Sequence, residues 1–315
     1  METMQTDSRI LITGSTGMVG GALTRLLKKK GYSHLLTPNR KELDLLDRKN
    51  VFDYFEKHRP EYVFMIAAKV GGIAANSEDL VGFMEENLHI ELNLYSAAYQ
   101  YKTKKNLFLG SSCIYPKEAA QPIKEEYLLT GALEKTNEGY ALAKISGLKL
   151  GKYYHQQKGM LTVCPMPCNI YGTGDCFDLH RSHVLSALVR RFEDARISQS
   201  PFVSVWGTGA AKREFIHVED VAEGLLFFMN NVETSDHINL GTGLEISIAD
   251  LAKKIADFVG YKGEIRWDHS KPDGTMRKCM DISKLTQLGF KAKVSLDQGI
   301  QQTIEEYRNI RKNEL

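Results

Sequence analysis

Proline is scarce, with eight in 315 residues, and no low-complexity run occurs, which excludes a mainly disordered chain. Charge of one sign is also missing. The 41 Lys+Arg nearly balance the 39 Asp+Glu, for a formal net charge of +2, which argues against a protein built to coat nucleic acid. Apolar runs such as residues 62–68 and 224–229 fall far short of the roughly 20 residues that cross a bilayer, so a soluble protein is expected. The five cysteines, Cys113, Cys164, Cys168, Cys176 and Cys279, are odd in number and contain no C-x-x-C pair. No two of the nine histidines have the short helical spacing of a metal motif. Neither a disulfide framework nor a zinc site fits, no structural metal is expected, and a reducing cytosol is the simplest setting. Residues 1–8 lack the basic start and apolar stretch of a secretory signal and read as a frayed leader. The final Lys312-Asn313-Glu314-Leu315 looks like an endoplasmic-reticulum retrieval signal, but such a signal acts only on a chain already inside that compartment, so it is taken as chance. No internal repeat of solenoid period is present.

What is present is an ordinary globular mixture, 43% hydrophobic and 25% charged, able to bury a sizeable core in one large domain or two. Short apolar runs at 9–13, 35–37, 62–68, 107–111 and 161–165 alternate with amphipathic stretches at 20–30, 51–58, 88–101 and 140–157. This alternation predicts an α/β fold: strands buried on both faces, joined by right-handed helical crossovers into a doubly wound parallel sheet. The pattern breaks after Gly172. Residues 173–212 are rich in His, Arg, Asp and Ser with one strong helical stretch at 183–195, which suits a smaller lobe facing a ligand. Strands at 214–218 and 237–240 and a helix at 219–230 return to the sheet, and a helix at 248–259 is opened by Ser247 as its cap. Two sequence-interleaved lobes are therefore expected, residues 9–172 with 214–243 and residues 173–213 with 244–315.

The first apolar run, residues 9–13, leads into Gly14-Ser15-Thr16-Gly17-Met18-Val19-Gly20, a strand, a tight glycine turn and a helix start in succession. Positions without Cβ let backbone approach a dinucleotide pyrophosphate, and a helix amino end stabilises its charge, which points to a Rossmann-type dinucleotide site. Glycine clusters also serve turns for purely steric reasons. A ribose-binding acid would be expected about 20 positions further on, yet Arg40 stands there, followed by Lys41. Two cations favour a 2′-phosphate and hence NADP; the alternative is a solvated basic turn, with Glu42 and Asp44 close by. Tyr140 and Lys144 stand four apart on one helical face. A nearby cation lowers a phenol's pKa from about 10, making it a better proton donor or acceptor toward a carbonyl or alcohol. Tyr101 with Lys105 and Tyr154 with Lys158 repeat the spacing. Only Tyr140 opens a helix after a strand ending in hydroxyls, Gly110-Ser111-Ser112, at the carboxyl edge where ligands of such sheets bind.

Together, Gly14/Gly17/Gly20, Ser111 and Tyr140/Lys144 resemble the extended short-chain dehydrogenase/reductase superfamily. Six further motifs narrow the likeness: Ala67-Ala68-Lys69-Val70-Gly71-Gly72-Ile73, Gly110-Ser111-Ser112-Cys113-Ile114-Tyr115-Pro116, Ser182-His183-Val184, Val205-Trp206-Gly207-Thr208-Gly209, Arg213-Glu214-Phe215 and Ser270-Lys271-Pro272-Asp273-Gly274-Thr275. In this order they resemble the GDP-L-fucose synthase family, from about residue 9 to the C-terminal helix. That resemblance implies 3,5-epimerisation and NADPH-dependent 4-reduction of GDP-4-keto-6-deoxy-D-mannose. A C4 ketone acidifies the hydrogens on both neighbouring carbons, so epimerisation needs one group to remove a proton and another to return one on the opposite face.

Carried onto this sequence, the family implies Cys113 and His183 as the acid/base pair, with Ser111 holding the C4 oxygen and Ser112 as the alternative hydroxyl. Tyr140 would protonate that oxygen and Lys144 would hold the nicotinamide ribose. The cofactor would further contact Gly14, Ser15, Thr16, Gly17, Met18, Val19, Gly20, Arg40, Pro167, Asn169, Ile170 and His183. Arg191, Trp206, Arg213 and Asp273 would surround the GDP-sugar; arginine's planar fork suits a diphosphate, and an indole both packs and donates one hydrogen bond. Without the resemblance, Cys113 reads as a small core residue, His183 as a polar helix start, Arg191 as a solvated side chain, Trp206 as core and Asp273 as a turn residue. The chain departs from the family pattern at Gly139, where proline is usual, at Cys168 for threonine, and at Gly172-Thr173-Gly174-Asp175-Cys176-Phe177, which differs from the usual Gly-Pro…Asp-Asn-Phe. A homodimer is implied by analogy, with the helices at 88–101 and 140–157 packing across a two-fold axis. Three alternative activities fit these residues less well. A sugar-nucleotide 4-epimerase would retain NAD, against Arg40 and Lys41. A 4,6-dehydratase would need carboxylates after Ser111-Ser112-Cys113. A catalytically silent NADP-binding regulator has no chemical need for an intact Ser111/Tyr140/Lys144 set.

Overall fold

Short, mostly buried runs at the expected places build the central sheet. In the first half of the chain these are β1 (Ile10–Ile12), α1 (Met18–Lys29), β2 (Leu35–Leu36), α2 (Arg48–His58), β3 (Tyr62–Met65), α3 (Ile73–Glu78), α4 (Leu80–Gln100), β4 (Lys105–Phe108), α5 (Glu138–Lys158) and β5 (Thr162–Pro167). The chain continues through β6 (Asn169–Tyr171), α6 (Val184–Ile197), β7 (Phe202–Trp206), β8 (Lys212–His217), α7 (Val218–Asn231), β9 (His237–Leu240), β10 (Glu245–Ser247), α8 (Ile248–Val259), β11 (Glu264–Asp268), β12 (Arg277–Lys278), α9 (Ser283–Gln287) and α10 (Leu296–Glu314). This computed structural model describes residues 3–179, 181–271 and 273–314, with the side chains of Ile73 and Glu314 excepted. Met1 and Glu2 of the expected leader, Pro272 of the sixth motif and Leu315 of the terminal tetrapeptide lie outside the described residues.

Six strands join in the order β2-β1-β3-β4-β5-β9, every pair parallel. The doubly wound parallel sheet expected from the alternation is thus present. Helices α1 and α7 pack together, as do α2, α4 and α5. Strands β1, β3 and β4 are buried at every position, as a parallel sheet covered on both faces requires. No helix is long and apolar enough to cross a membrane among the described residues.

A second hydrophobic cluster, separate from the sheet's, is made by Tyr171, Phe177, Leu188, Phe192, Phe215, Leu251, Ile255 and Ile304 with their neighbours. At its edge β8 runs antiparallel to β10 and parallel to β6 and β12, while β7 pairs in parallel with β11. Met280 and Leu285, late in the chain, pack instead into the first cluster. Several boundaries differ from the sequence expectation for local reasons. Helix α4 begins at Leu80 because the Asp79 carboxylate accepts the Gly82 amide at 2.9 Å. Residues 173–212 also contain β7, whose alternating burial reflects one buried face and one open one. Ser247 caps α8 as expected, accepting the Asp250 amide at 3.0 Å.

Glu214 on β8 fastens the two halves. Fully buried, its carboxylate accepts backbone N–H groups of Thr242 (2.6 Å), Gly243 (2.8 Å) and Met280 (2.7 Å). Burial pushes its pKa up, and those donors pull it down. Glu214→Ala leaves three buried donors without an acceptor, and a stability loss of about 3 kcal/mol is expected from urea unfolding. A loss below about 1 kcal/mol would mean that the loops find other acceptors.

Candidate active site

The strand order reverses direction between β1 and β3, so a crevice opens outside their carboxyl ends, where ligands of such sheets bind. Thr13 sets its floor: its hydroxyl donates to Phe64 O at 3.1 Å and accepts from the Ile66 and Ala67 amides at 3.0 and 3.2 Å. The turn that follows begins at Gly14 with φ 71, a left-handed conformation that favours glycine. A Cβ on Gly20 would lie 2.2 Å from Gly14 O, so helix and turn touch backbone to backbone. Helix α1 has no side-chain cap at Gly17 and no acid in its first turn, which leaves its amino end open to an anion. This cradle fits a dinucleotide pyrophosphate. Thr16 and Gly17 are exposed and Ser15 and Met18 half-buried, whereas the Val19 side chain is buried in the core, leaving only its backbone for a ligand.

Ser15 Oγ reaches Pro38 O at 3.5 Å, tying the glycine turn to the loop that carries Arg40. Glu42 bends back to accept the Asn39 amide at 2.9 Å, and Asp44 accepts the Leu46 amide at 3.1 Å, so the nearby acids serve the turn. Arg40 and Lys41 are exposed and make no ion pair among the described residues. Pro167 ends β5; on β6 the Asn169 side-chain Nδ2 donates to Glu214 O at 2.7 Å and Ile170 is half-buried.

The three Y-x-x-x-K pairs separate clearly. Tyr101 ends α4 under the Arg59 guanidinium while Lys105 lies on β4, and Tyr154 stacks on Tyr95 between helices. Tyr140 and Lys144 lie in the first turns of α5 beside Ser111 and Cys113. Ser111 opens the short 3-10 turn Ser112–Ile114 after β4, its Oγ accepting the Cys113 amide at 3.3 Å and standing next to the Tyr140 phenol and the Cys113 thiol. Lys144 is 2% exposed, with Nζ 4.5 Å from the Phe108 ring centroid, 5.9 Å from that of Tyr140 and 3.7 Å from Glu91 Oε1. The sequence expectation of a lowered phenol pKa is corrected here. Burial, then the Cys113 and Glu91 charges, hold Tyr140 well above the usual range, with only Ser111 pulling it down. Burial lowers the Lys144 pKa in turn, against the Glu91 charge that raises it.

Gly139 also receives a physical reason. A Cβ there would lie 2.5 Å from Leu80 O, so the start of α4 occupies the space that a proline would fill. His183 is exposed at the amino end of α6, and burial pushes up the pKa of the nearby Asp175, against its hydrogen bonds to Ser186 and the Cys176 amide. No hydrogen bond or ion pair joins His183 to Cys113 among the described residues.

The four residues expected around the sugar nucleotide gather into one patch. Arg191 donates to Ser204 O at 2.9 Å and lies 5.8 Å from the Trp206 ring, which is 55% exposed and therefore not core. Arg213 donates to Asp273 O at 3.3 Å, while the Asp273 carboxylate accepts the Thr208 amide and hydroxyl at 2.7 and 2.8 Å. Asp273 thus secures the loop after β7. Two further residues were not singled out in the sequence. Glu91 lies within an acidic helix, and only packing brings it to Lys144. Lys278 follows the sixth motif and is paired in register with Arg213; half-buried, it makes no ion pair among the described residues. Its charge favours the Cys113 thiolate, although burial pushes that thiol up overall.

The chain matches the NAD dependent epimerase/dehydratase family over residues 10–241, and it belongs to that family. This chain is an oxidoreductase and epimerase of that family. Within the family it groups with the GDP-L-fucose synthases. It is 46% identical to GDP-L-fucose synthase 1 of Arabidopsis thaliana, across 96% of this chain and 93% of that one. Among solved structures, a GDP-6-OMe-4-keto-L-xylo-heptose reductase from C. jejuni superposes with a TM-score of 0.94 at 35% identity, covering 98% and 99% of the two chains. A GDP-L-fucose synthetase from Naegleria fowleri bound to NADP gives 0.90 at 29%, covering 98% and 97%.

The site's electrostatics can be checked through Cys113. Lys278→Met removes the charge that favours the thiolate, so the midpoint for modification of Cys113 by methyl methanethiosulfonate should rise by about one pH unit. Peptide mass spectrometry reads this site by site; an unchanged midpoint would show that Lys278 does not act on the thiol.

Proposed function

We propose that this chain carries out NADPH-dependent 3,5-epimerisation and 4-reduction of GDP-4-keto-6-deoxy-D-mannose, giving GDP-L-fucose. The observation that carries this reading is the convergence of Ser111, Cys113, Tyr140 and Lys144 at the carboxyl edge of the sheet, where a plain carbonyl reductase would have no use for the thiol. The whole-length likeness to GDP-L-fucose synthases supports it. Gly14 to Gly20 hold the cofactor's pyrophosphate, Arg40 with Lys41 its 2′-phosphate, and Lys144, Pro167, Asn169, Ile170 and His183 its nicotinamide end. The bound cofactor supplies the hydride.

Residues 9–172 with 214–243 form the cofactor-binding lobe, and residues 173–213 with 244–315 receive the GDP-sugar. Arg191 and Arg213 grip its diphosphate, with the Trp206 indole packed beside the ligand and Asp273 holding the loop. Ser111 donates to the C4 oxygen and so acidifies C3 and C5. Cys113 and His183 then remove and return protons on opposite faces, and Tyr140 gives its proton to the C4 oxygen. Two copies pair through a groove between α4 and α5 lined by Leu88, Leu92, Leu150 and Tyr153, where Leu92 and Tyr153 are 48% and 51% exposed. Five free cysteines suit a reducing, cytosolic setting.

Purified protein incubated with NADPH and GDP-4-keto-6-deoxy-mannose should yield a 6-deoxy-L-galacto product by NMR. A product still in the manno series would mean reduction alone. Arg40→Ala should weaken NADPH by about tenfold or more while leaving NADH within about twofold, a loss of about 1.4 kcal/mol confined to the 2′-phosphate. Equal weakening of both would place that phosphate elsewhere.

A further inference from the structure

Glu91 takes part in no step of the proposed reaction, yet it lies against the residues that perform it. Its side chain is 4% exposed on α4, with Oε1 3.7 Å from Lys144 Nζ and no close hydrogen bond to either carboxylate oxygen among the described residues. Helix α5 makes room for it: a Cβ on Gly147 would lie 2.6 Å from Glu91 Oε2. The titratable groups around it are Lys144 and Tyr140 on α5 and Tyr95 on its own helix, with Lys149 on the rim of the same groove; Cys113 after β4 acts in turn on Lys144 and Tyr140.

A carboxylate here offsets the ammonium charge of Lys144, the charge that would otherwise draw the proton off the phenol. The difference decides which direction the triad serves. Reduction of a ketone consumes a proton at the new alcohol oxygen and needs tyrosine as O–H; oxidation of an alcohol needs the phenolate as base. We propose that Glu91 is a positioning residue that shares the charge of Lys144, adds to burial in keeping Tyr140 in its proton-donating form and so favours ketone reduction. This rests on Tyr140 being the proton donor. In each turnover the C4 carbonyl gains a hydride at carbon and the Tyr140 proton at oxygen, and solvent returns a proton to the phenol.

Burial pushes the Glu91 pKa up to about 7, opposed by Lys144. Above that pH its charge is present and opposes loss of the phenol proton; below it the carboxyl is neutral and the influence disappears. In Glu91→Gln the basic limb of the kcat profile for ketone reduction should therefore fall by about one pH unit, about a tenfold loss on that limb. The acid side should stay within about twofold of the unaltered enzyme. In cofactor-free protein, NMR of 13Cζ-labelled tyrosine, with Tyr140 assigned through Tyr140→Phe, should show the same downward move.

A basic limb and a Tyr140 resonance that both stay in place in Glu91→Gln overturn the proposal. Should that variant not fold, the unaltered protein decides the matter. Its Tyr140 resonance should shift with the Glu91 titration between about pH 6 and pH 8, and a flat response there overturns the proposal equally. Turnover surviving in Tyr140→Phe would instead remove the proton-donor reading itself.

Discussion

The close approach of α5 to α4 and to the edge of β4 governs everything at this site. At Gly147 a single added Cβ would come within 2.5 Å of the Phe108 ring and 2.6 Å of the Glu91 carboxylate. With no side chain there, Lys144 lies over the Phe108 ring and within reach of Glu91, in a space almost closed to water. One turn earlier on the same helix, Tyr140 meets the hydroxyl and thiol that follow β4. A wider helix spacing would leave each of these residues in place along the chain and separate them in space.

The enclosed corner around Lys144 contrasts with the open patch around Trp206. Trp206 is largely exposed, and Arg191 and Arg213 donate to backbone carbonyls. This suits a charged, well-hydrated nucleotide diphosphate at one end and a sugar ring delivered into a dry corner at the other. Glu214 connects the two regions. Its carboxylate fixes the loop after β9 and the backbone at Met280, two residues beyond Lys278, so the same buried anion helps to place the cation beside Cys113.

Electrostatics inside the triad show burial outweighing proximity. Desolvation moves a fully buried group by up to about 3–5 pH units. The Lys144 ammonium is 5.9 Å from the Tyr140 ring and partly offset by Glu91, so it does not compensate. The phenol is accordingly held up, and a spacing of four residues on a helix is not by itself a statement about acidity.

Periodicity and glycine placement determined the parallel sheet, the glycine turn and the grouping of Ser111 with Tyr140 and Lys144, because these depend on local backbone demands and short-range spacing, whereas Cys113 became a candidate only through the family resemblance. The choice of Tyr140 over Tyr101 and Tyr154 was legible from its place after β4. The roles of Glu91, Glu214 and Lys278 were not. Each reads as an ordinary charged residue in its own segment, and its meaning comes from partners 53, 28 and 165 positions away in Lys144, Thr242 and Cys113. Sequence thus determined which groups the chain possesses and which elements carry them. Tertiary packing decided which charges lose their water and which neighbours they then answer to, since desolvation is a property of the assembled core and not of any stretch of chain.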